Sequence, residues 1–155
     1  MRVKKSTVIY TGILLSLALM FCLYSGFCIN ITNSLPYKLF LMDKISKPAV
    51  GSYVSFKAPA ASGFSEEVII TKKILAGPGD VVTKKNDDFY INHKWVARAK
   101  RYSLEGQPLE PGPEGKLQTD QYYVSGQHPD SLDSRYGKIG WIRHEQIIAV
   151  AHPIF

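Results

Sequence analysis

Residues 66–80 read "EEVIITKKILAGPGD". A β-branched run leads into the Lys72–Lys73 pair, and Pro78-Gly79-Asp80 then forces a turn, so the stretch reads as one strand with a defined end. Side chains on a strand alternate between its faces. Val68, Ile70, Lys72 and Ile74 share one face, and Ile69, Thr71, Lys73 and Leu75 share the other. Each lysine therefore has apolar neighbours, and alternation leaves both open as a desolvated amine. Burial disfavours an ammonium and lowers its pKa by up to several units. A neutral amine can take a proton from a serine hydroxyl, so a Ser–Lys pair works without histidine. The ordinary alternative is a packed lysine stem with its head in water.

Short β-rich runs separated by turn residues extend in both directions from this strand. Upstream, "GSYVSF" (51–56) reads as a strand and "APAASGFS" (58–65) as a loop of small residues. Downstream, "VVTKKNDDFYINHKWVA" (81–97) reads as a hairpin with turn signals at "NDD" and "NH". "LEGQPLEPGPEGKLQTD" (104–120) is a Pro/Gly-rich excursion, "QYYVSG" (121–126) a strand, and "QHPDSLDSRYGKIG" (127–140) a polar loop. "WIRHEQIIAVAHPIF" (141–155) fits a final strand pair with a short helical turn at "RHEQI". The chain has no internal repeat. The expected fold is mainly β and antiparallel.

The N-terminus differs in kind. Arg2, Lys4 and Lys5 precede an apolar run, and no Asp, Glu, Lys or Arg occurs between Lys5 and Lys38. A run longer than about 20 apolar residues is long enough to cross a bilayer as a helix. It exceeds the core of a cleaved secretory signal, and "YSGFCIN" lacks a small-x-small cleavage site. The expected organisation is a basic cytoplasmic tail at 1–6, a single transmembrane anchor at 7–29 and one exported domain at 30–155. Basic residues ahead of the anchor keep that end in the cytoplasm, which places the domain on the outer side of the cytoplasmic membrane.

The exported part holds enough residues for a real core. Both cysteines, Cys22 and Cys28, fall in the apolar segment, so no disulfide staples the domain. His93, His128, His144 and His152 show no ligand spacing, and neither a metal nor a cofactor is expected. The net charge is +6, from 19 basic and 13 acidic residues. Without Arg2, Lys4 and Lys5 the balance is 16 against 13. That mild excess suits an anionic membrane surface as neighbour and gives no argument for nucleic acid.

Two further stretches carry groups able to do chemistry. Ser34 sits in "NITNSLPYK", just beyond the apolar run and so near the membrane surface. By itself it is an ordinary turn serine beside a proline. "SGQHPDSLDSRYGKIGW" (125–141) is dense in Ser, Asp and Arg, and Asp133 and Arg135 are spaced to pair within the loop.

In combination these stretches resemble the type I signal peptidases, the membrane-anchored serine–lysine peptidases. "NSLP" resembles the family's serine box, "GSYVSF" its Gly-Asp-x-Val-x-Phe strand, and "KKILAGPGD" its lysine box. "DDFYINHKWV" resembles the hairpin that follows, with His93 where the family carries Gly, and "DSLDSRYG" resembles the Asn-Ser-x-Asp-Ser-Arg box. The resemblance implies Ser34 as nucleophile and Lys72 as general base, with Lys73 at a position usually held by Arg. It implies that Thr32 assists the oxyanion hole, Ser131 orients the amine, and Asp133 and Arg135 brace the site. The chain departs from the family at Ala76, with the glycine shifted to Gly77, and at "GQHPDS", which lacks the usual Asp and Asn.

"NITNSLPYKLFLM" also resembles the Asn-x-Thr-x-Ser-x-Pro-x-Gly-Leu-Tyr pattern of the TraF-type conjugation peptidases, which mature pilin subunits and in some members cyclise them. Asn30, Thr32, Ser34, Pro36 and Leu39 fit, while Lys38 and Phe40 replace the Gly and Tyr. The implied partner is a membrane-held precursor, a pilin or another signal-bearing protein. The competing expectations are a general signal peptidase and a non-catalytic membrane-anchored scaffold that binds pilins. A self-cleaving repressor-type Ser–Lys fold is disfavoured, because the chain has an apolar anchor and no DNA-binding segment.

Overall fold

The computed structural model describes residues 5–65 and 67–155. Most of the basic tail expected at 1–6 lies outside the described residues. Helix α1 runs Lys5–Ser25. Within it the Thr11 hydroxyl donates to the Thr7 carbonyl and Ser16 to Ile13, so neither hydroxyl is left unsatisfied in an apolar helix. Gly26, at φ 71°, takes the left-handed conformation that ends helices. The next residues, Phe27–Ile29, form strand β1. Residues 27–29, which fall inside the anchor expected over 7–29, pair as sheet with 39–41. Among the described residues no helix is long and apolar enough to cross a membrane.

Two antiparallel sheets follow. The larger has seven strands in the order β1-β2-β11-β3-β4-β9-β10. Its members are β1, β2 (Leu39–Asp43), β3 (Tyr53–Lys57), β4 (Ile69–Ala76), β9 (Gln121–Ser125), β10 (Ile142–Arg143) and β11 (Ile147–Pro153). The second has four strands in the order β7-β6-β5-β8. It comprises β5 (Val81–Lys85), β6 (Asp88–Ile91), β7 (Lys94–Arg98) and β8 (Gly115–Lys116). The mainly β expectation holds, and a 3-10 turn at His144–Gln146 stands where "RHEQI" indicated one.

Strands β1 and β2 were not expected. "FCI" continues the apolar run, and "LFLMD" is apolar at four consecutive positions, so its alternating burial leaves no trace in the sequence.

Register decides which lysine is buried. Strand β4 pairs with β3 through Val54↔Lys72 and Tyr53↔Lys73. One face carries Val54, Phe56, Ile74 and Val124, all fully buried, and Lys72 lies among them. Burying such a side chain contributes about 1.5–3 kcal/mol. The other face carries Tyr53, which packs edge-on against Tyr37, and Leu35, Phe40 and Met42 cluster there. A third cluster, including Val82, Phe89 and Tyr123, joins the second sheet to the ends of β4 and β9.

Strand β4 is paired unequally along its two sides. Its ladder with β3 runs from Lys73 to Ile69, whereas β9 pairs only with Lys73, Ile74 and Ala76. Among the described residues, Ile69–Lys72 therefore present an unpaired backbone edge on the β9 side.

The β6–β7 turn places Asn92 (φ 49°) and His93 (φ 68°) both in the left-handed region, as a tight hairpin turn requires. That conformation costs a non-glycine residue about 1–2 kcal/mol. His93→Gly is expected to stabilise the chain by about 1 kcal/mol, seen as a higher midpoint in thermal unfolding; an unchanged or lower midpoint would show that the turn is not strained there.

Candidate active site

The loop between β1 and β2 is organised by Asn30. Its backbone N–H donates to the Lys38 carbonyl at 2.8 Å, and its side-chain N–H to Tyr37 O at 3.1 Å. Its Oδ1 accepts the Thr32 hydroxyl at 2.9 Å and the Thr32 N–H at 3.3 Å. The Thr32 proton being committed to Asn30, the Ser34 hydroxyl is left to donate to Thr32 Oγ1, 2.8 Å away. Leu35 is buried in the core and anchors the loop one residue past Ser34, which is itself buried. A chain of hydroxyls and one amide thus fixes the serine rotamer.

The Ser34 carbonyl is held by the start of the 126–135 loop. Gln127 N–H donates to it at 2.8 Å and His128 N–H at 3.4 Å. Gly126 is squeezed between the two halves of the site. A Cβ there would stand 2.0 Å from Ser131 Oγ and 2.9 Å from Ser34 O, so only glycine fits. Ser131 Oγ is buried and has no hydrogen-bond partner among the described residues.

Behind them lies the Asp133–Arg135 pair. Arg135 Nε meets Asp133 Oδ1 at 2.8 Å and its Nη2 meets Oδ2 at 2.9 Å. Arg135 also donates to the carbonyls of Ser131, His128, Pro129 and Arg98. Asp133 additionally accepts Gly126 N–H at 2.8 Å and the Ser125 hydroxyl at 3.3 Å.

Lys72 is 5% exposed. Burial lowers its pKa from 10.5 to about 8; the Asp133 carboxylate partly opposes that shift and the Arg135 guanidinium adds to it. Lys73 points the other way, and its Nζ lies 5.7 Å from the centre of the Tyr53 ring. The ambiguity left by strand alternation is resolved by packing: Lys72 is the desolvated amine.

The structure thus gathers Thr32, Ser34, Ser131, Asp133 and Arg135 around Gly126, and sets Lys72 in the field of the same Asp–Arg pair. Sequence reasoning missed Gly126 and Gln127 as parts of the site, and gave Asn30 only as a pattern match. The glycine left no local signal, because its need arises only when its loop folds Ser131 back against it and packs on Ser34. Among the described residues no group of side chains could hold a metal ion.

The antiparallel β domain thus holds a buried serine in a hydrogen-bonded loop and, on β4, a desolvated lysine in the field of the Asp133–Arg135 pair. The chain belongs to the signal peptidase family, peptidase S26, whose description matches residues 2–155. It is 37% identical over 93 residues to "Signal peptidase I" of Bacillus amyloliquefaciens, covering 54% of this chain and 49% of that one. It is 25% identical over 161 aligned positions to "Conjugal transfer protein TraF" of Agrobacterium fabrum, covering 93% and 90%. The chain spans about half the length of the Bacillus relatives it matches. A crystal structure of a signal peptidase I from Enterococcus faecalis superposes with a TM-score of 0.46 at 24% identity, covering 68% of this chain and 97% of that one.

Removing the Asp133 carboxylate leaves Arg135 buried and uncompensated. Asp133→Ala is expected to cost about 3–5 kcal/mol of stability, read as a lower denaturant midpoint. A midpoint equal to the parent's would mean that the pair does not brace the loop.

Proposed function

We propose that the chain is a membrane-anchored serine endopeptidase that cleaves exported precursors, with Ser34 as nucleophile and Lys72 as general base. The observation that carries this reading is the desolvated Lys72, its pKa lowered to about 8, beside the loop that holds the Ser34 carbonyl. With its proton released, the amine accepts the Ser34 proton while the oxygen attacks the scissile carbonyl. The Ser34 N–H and the Thr32 hydroxyl, once turned from Asn30, hold the oxyanion; one such donor is worth about 10²–10³ in rate. The Ser131 hydroxyl, without a partner among the described residues, is available to orient the amine. An acyl-enzyme forms on Ser34, and water or a substrate amine releases it.

The open edge of Ile69–Lys72 suits a substrate that adds as an extended strand. Residues 7–25 serve as the anchor and 30–155 as the exported domain. Phe27, Ile29, Ile31, Ile154 and Phe155, exposed beside the end of α1, suit a bilayer surface. The substrate that we favour is a conjugative pilin precursor, supported by the near full-length match to the conjugal transfer protein. The higher identity to the Bacillus signal peptidases favours, as second reading, general removal of signal peptides.

Ser34→Ala and Lys72→Ala are each expected to slow precursor processing by about 10³-fold or more, while Lys85→Ala on the exposed rim does not. Normal processing by both site variants, followed by mass, would leave a scaffold instead of an enzyme. The rate is expected to rise with pH and level off above about 8 as Lys72 loses its proton; a flat profile between pH 6 and 9 would exclude Lys72 as the base. A co-expressed pilin product one water lighter than its trimmed linear form would identify cyclisation, and the linear mass hydrolysis.

A further inference from the structure

The peptidase reading leaves a groove of about 440 Å³ on the Lys73 side of the site unused. It lies between β4 with the end of β9 and strand β7 of the second sheet. Leu75 and Val96, both packed on the core, form an apolar floor. Trp95, 55% exposed, stands on one wall with its indole N–H fixed by Asp88 Oδ1 at 3.0 Å. Lys73, Arg98 and Arg135 line the groove, and among the described residues no Asp or Glu does. Arg98 is neutralised by Asp88 and Arg135 by Asp133. Lys73 has no ion pair among the described residues. The groove is therefore lined by one cation that no carboxylate among the described residues balances, its Nζ resting 5.7 Å from the centre of the Tyr53 ring. Gly126 and Gln127 form one end of it, and Gln127 N–H holds the Ser34 carbonyl, so that end of the groove abuts the residue the reading makes the nucleophile.

We propose that this groove receives the segment of the precursor just C-terminal to the scissile bond, with an apolar side chain over Leu75 and Val96 and an acidic side chain on Lys73. The proposal rests on the peptidase reading. Direction follows from the surroundings. β1 reaches the open-edged stretch of β4 at one point, where Cys28 Sγ is 3.7 Å from Thr71 Oγ1, and β1 directly follows α1. That edge suits the membrane-held, N-terminal half of a precursor. The groove begins where β9 closes the edge, at the Lys73↔Ser125 pair, and leads toward the second sheet. A chain laid along the edge and cut at Ser34 is thereby continued into it. The two halves are then held by different means: backbone pairing on one side of the cut, side-chain chemistry on the other.

The test uses the full chain in detergent and two peptide pools, each with small residues randomised ahead of the cut. One pool carries Phe-Glu as the fixed residues after the cut, the other Phe-Lys, and products are read by mass. The Phe-Glu pool is expected to be cut with about fivefold higher kcat/KM, carried mainly in KM, as fits a partly screened ion pair. Lys73→Glu is expected to reverse the preference, and Val96→Trp, which fills the floor, to raise KM for both pools. Equal kcat/KM for the two pools in the parent, or a preference unchanged in Lys73→Glu, overturns the groove assignment while Ser34-dependent cleavage persists. Absence of any cleavage that Ser34→Ala removes overturns the peptidase reading, and the groove assignment with it.

Discussion

The buried Asp133–Arg135 pair is the constraint on which the site depends. Two full charges at 0% and 3% exposure are tolerated only if their lone pairs and protons are used. The pair meets that condition by gathering backbone from three places. Gly126 N–H comes from the end of β9, the Ser131 and His128 carbonyls from the loop itself, and the Arg98 carbonyl from the second sheet. The need to satisfy those charges brings Gly126 and Gln127 against Ser34. The same charges act on Lys72 with opposite signs, the carboxylate favouring its proton and the guanidinium opposing it. Desolvation therefore sets the direction of the lysine's shift, and the pair trims its size.

Hydrogen-bond polarity around Ser34 adds a second layer. Asn30 claims the Thr32 proton, so at rest the serine proton points toward Thr32 Oγ1. For the proposed chemistry the serine must turn its proton to the amine, and Thr32 must release Asn30 to become a donor. The resting network holds the heavy atoms close to their working positions and leaves two proton reorientations for the moment of attack.

Much of this was legible in the sequence for local reasons. β-Branched runs bounded by Gly and Pro marked β3, β4 and β9, and "NH" marked a turn that forces φ above zero at two residues. Motif order pointed to Ser34, Ser131, Asp133 and Arg135, which meet at the 126–135 loop, and to Lys72, which feels the charges of the last two. What the sequence hid was non-local. Alternation could not choose between Lys72 and Lys73, because the choice depends on which face of β4 meets Phe56 and Val124. Strands β1 and β2 were hidden because both of their faces are apolar. The glycine requirement at 126 exists only once the loops at 34 and 131 meet.

Cys28 gives the molecule a chemical property apart from its own chemistry. It is a half-buried free thiol on β1, within van der Waals reach of Thr71 on the unpaired edge of β4. A disulfide reagent that exchanges onto this sulfur, releasing a thiol, marks the point where β1 meets β4.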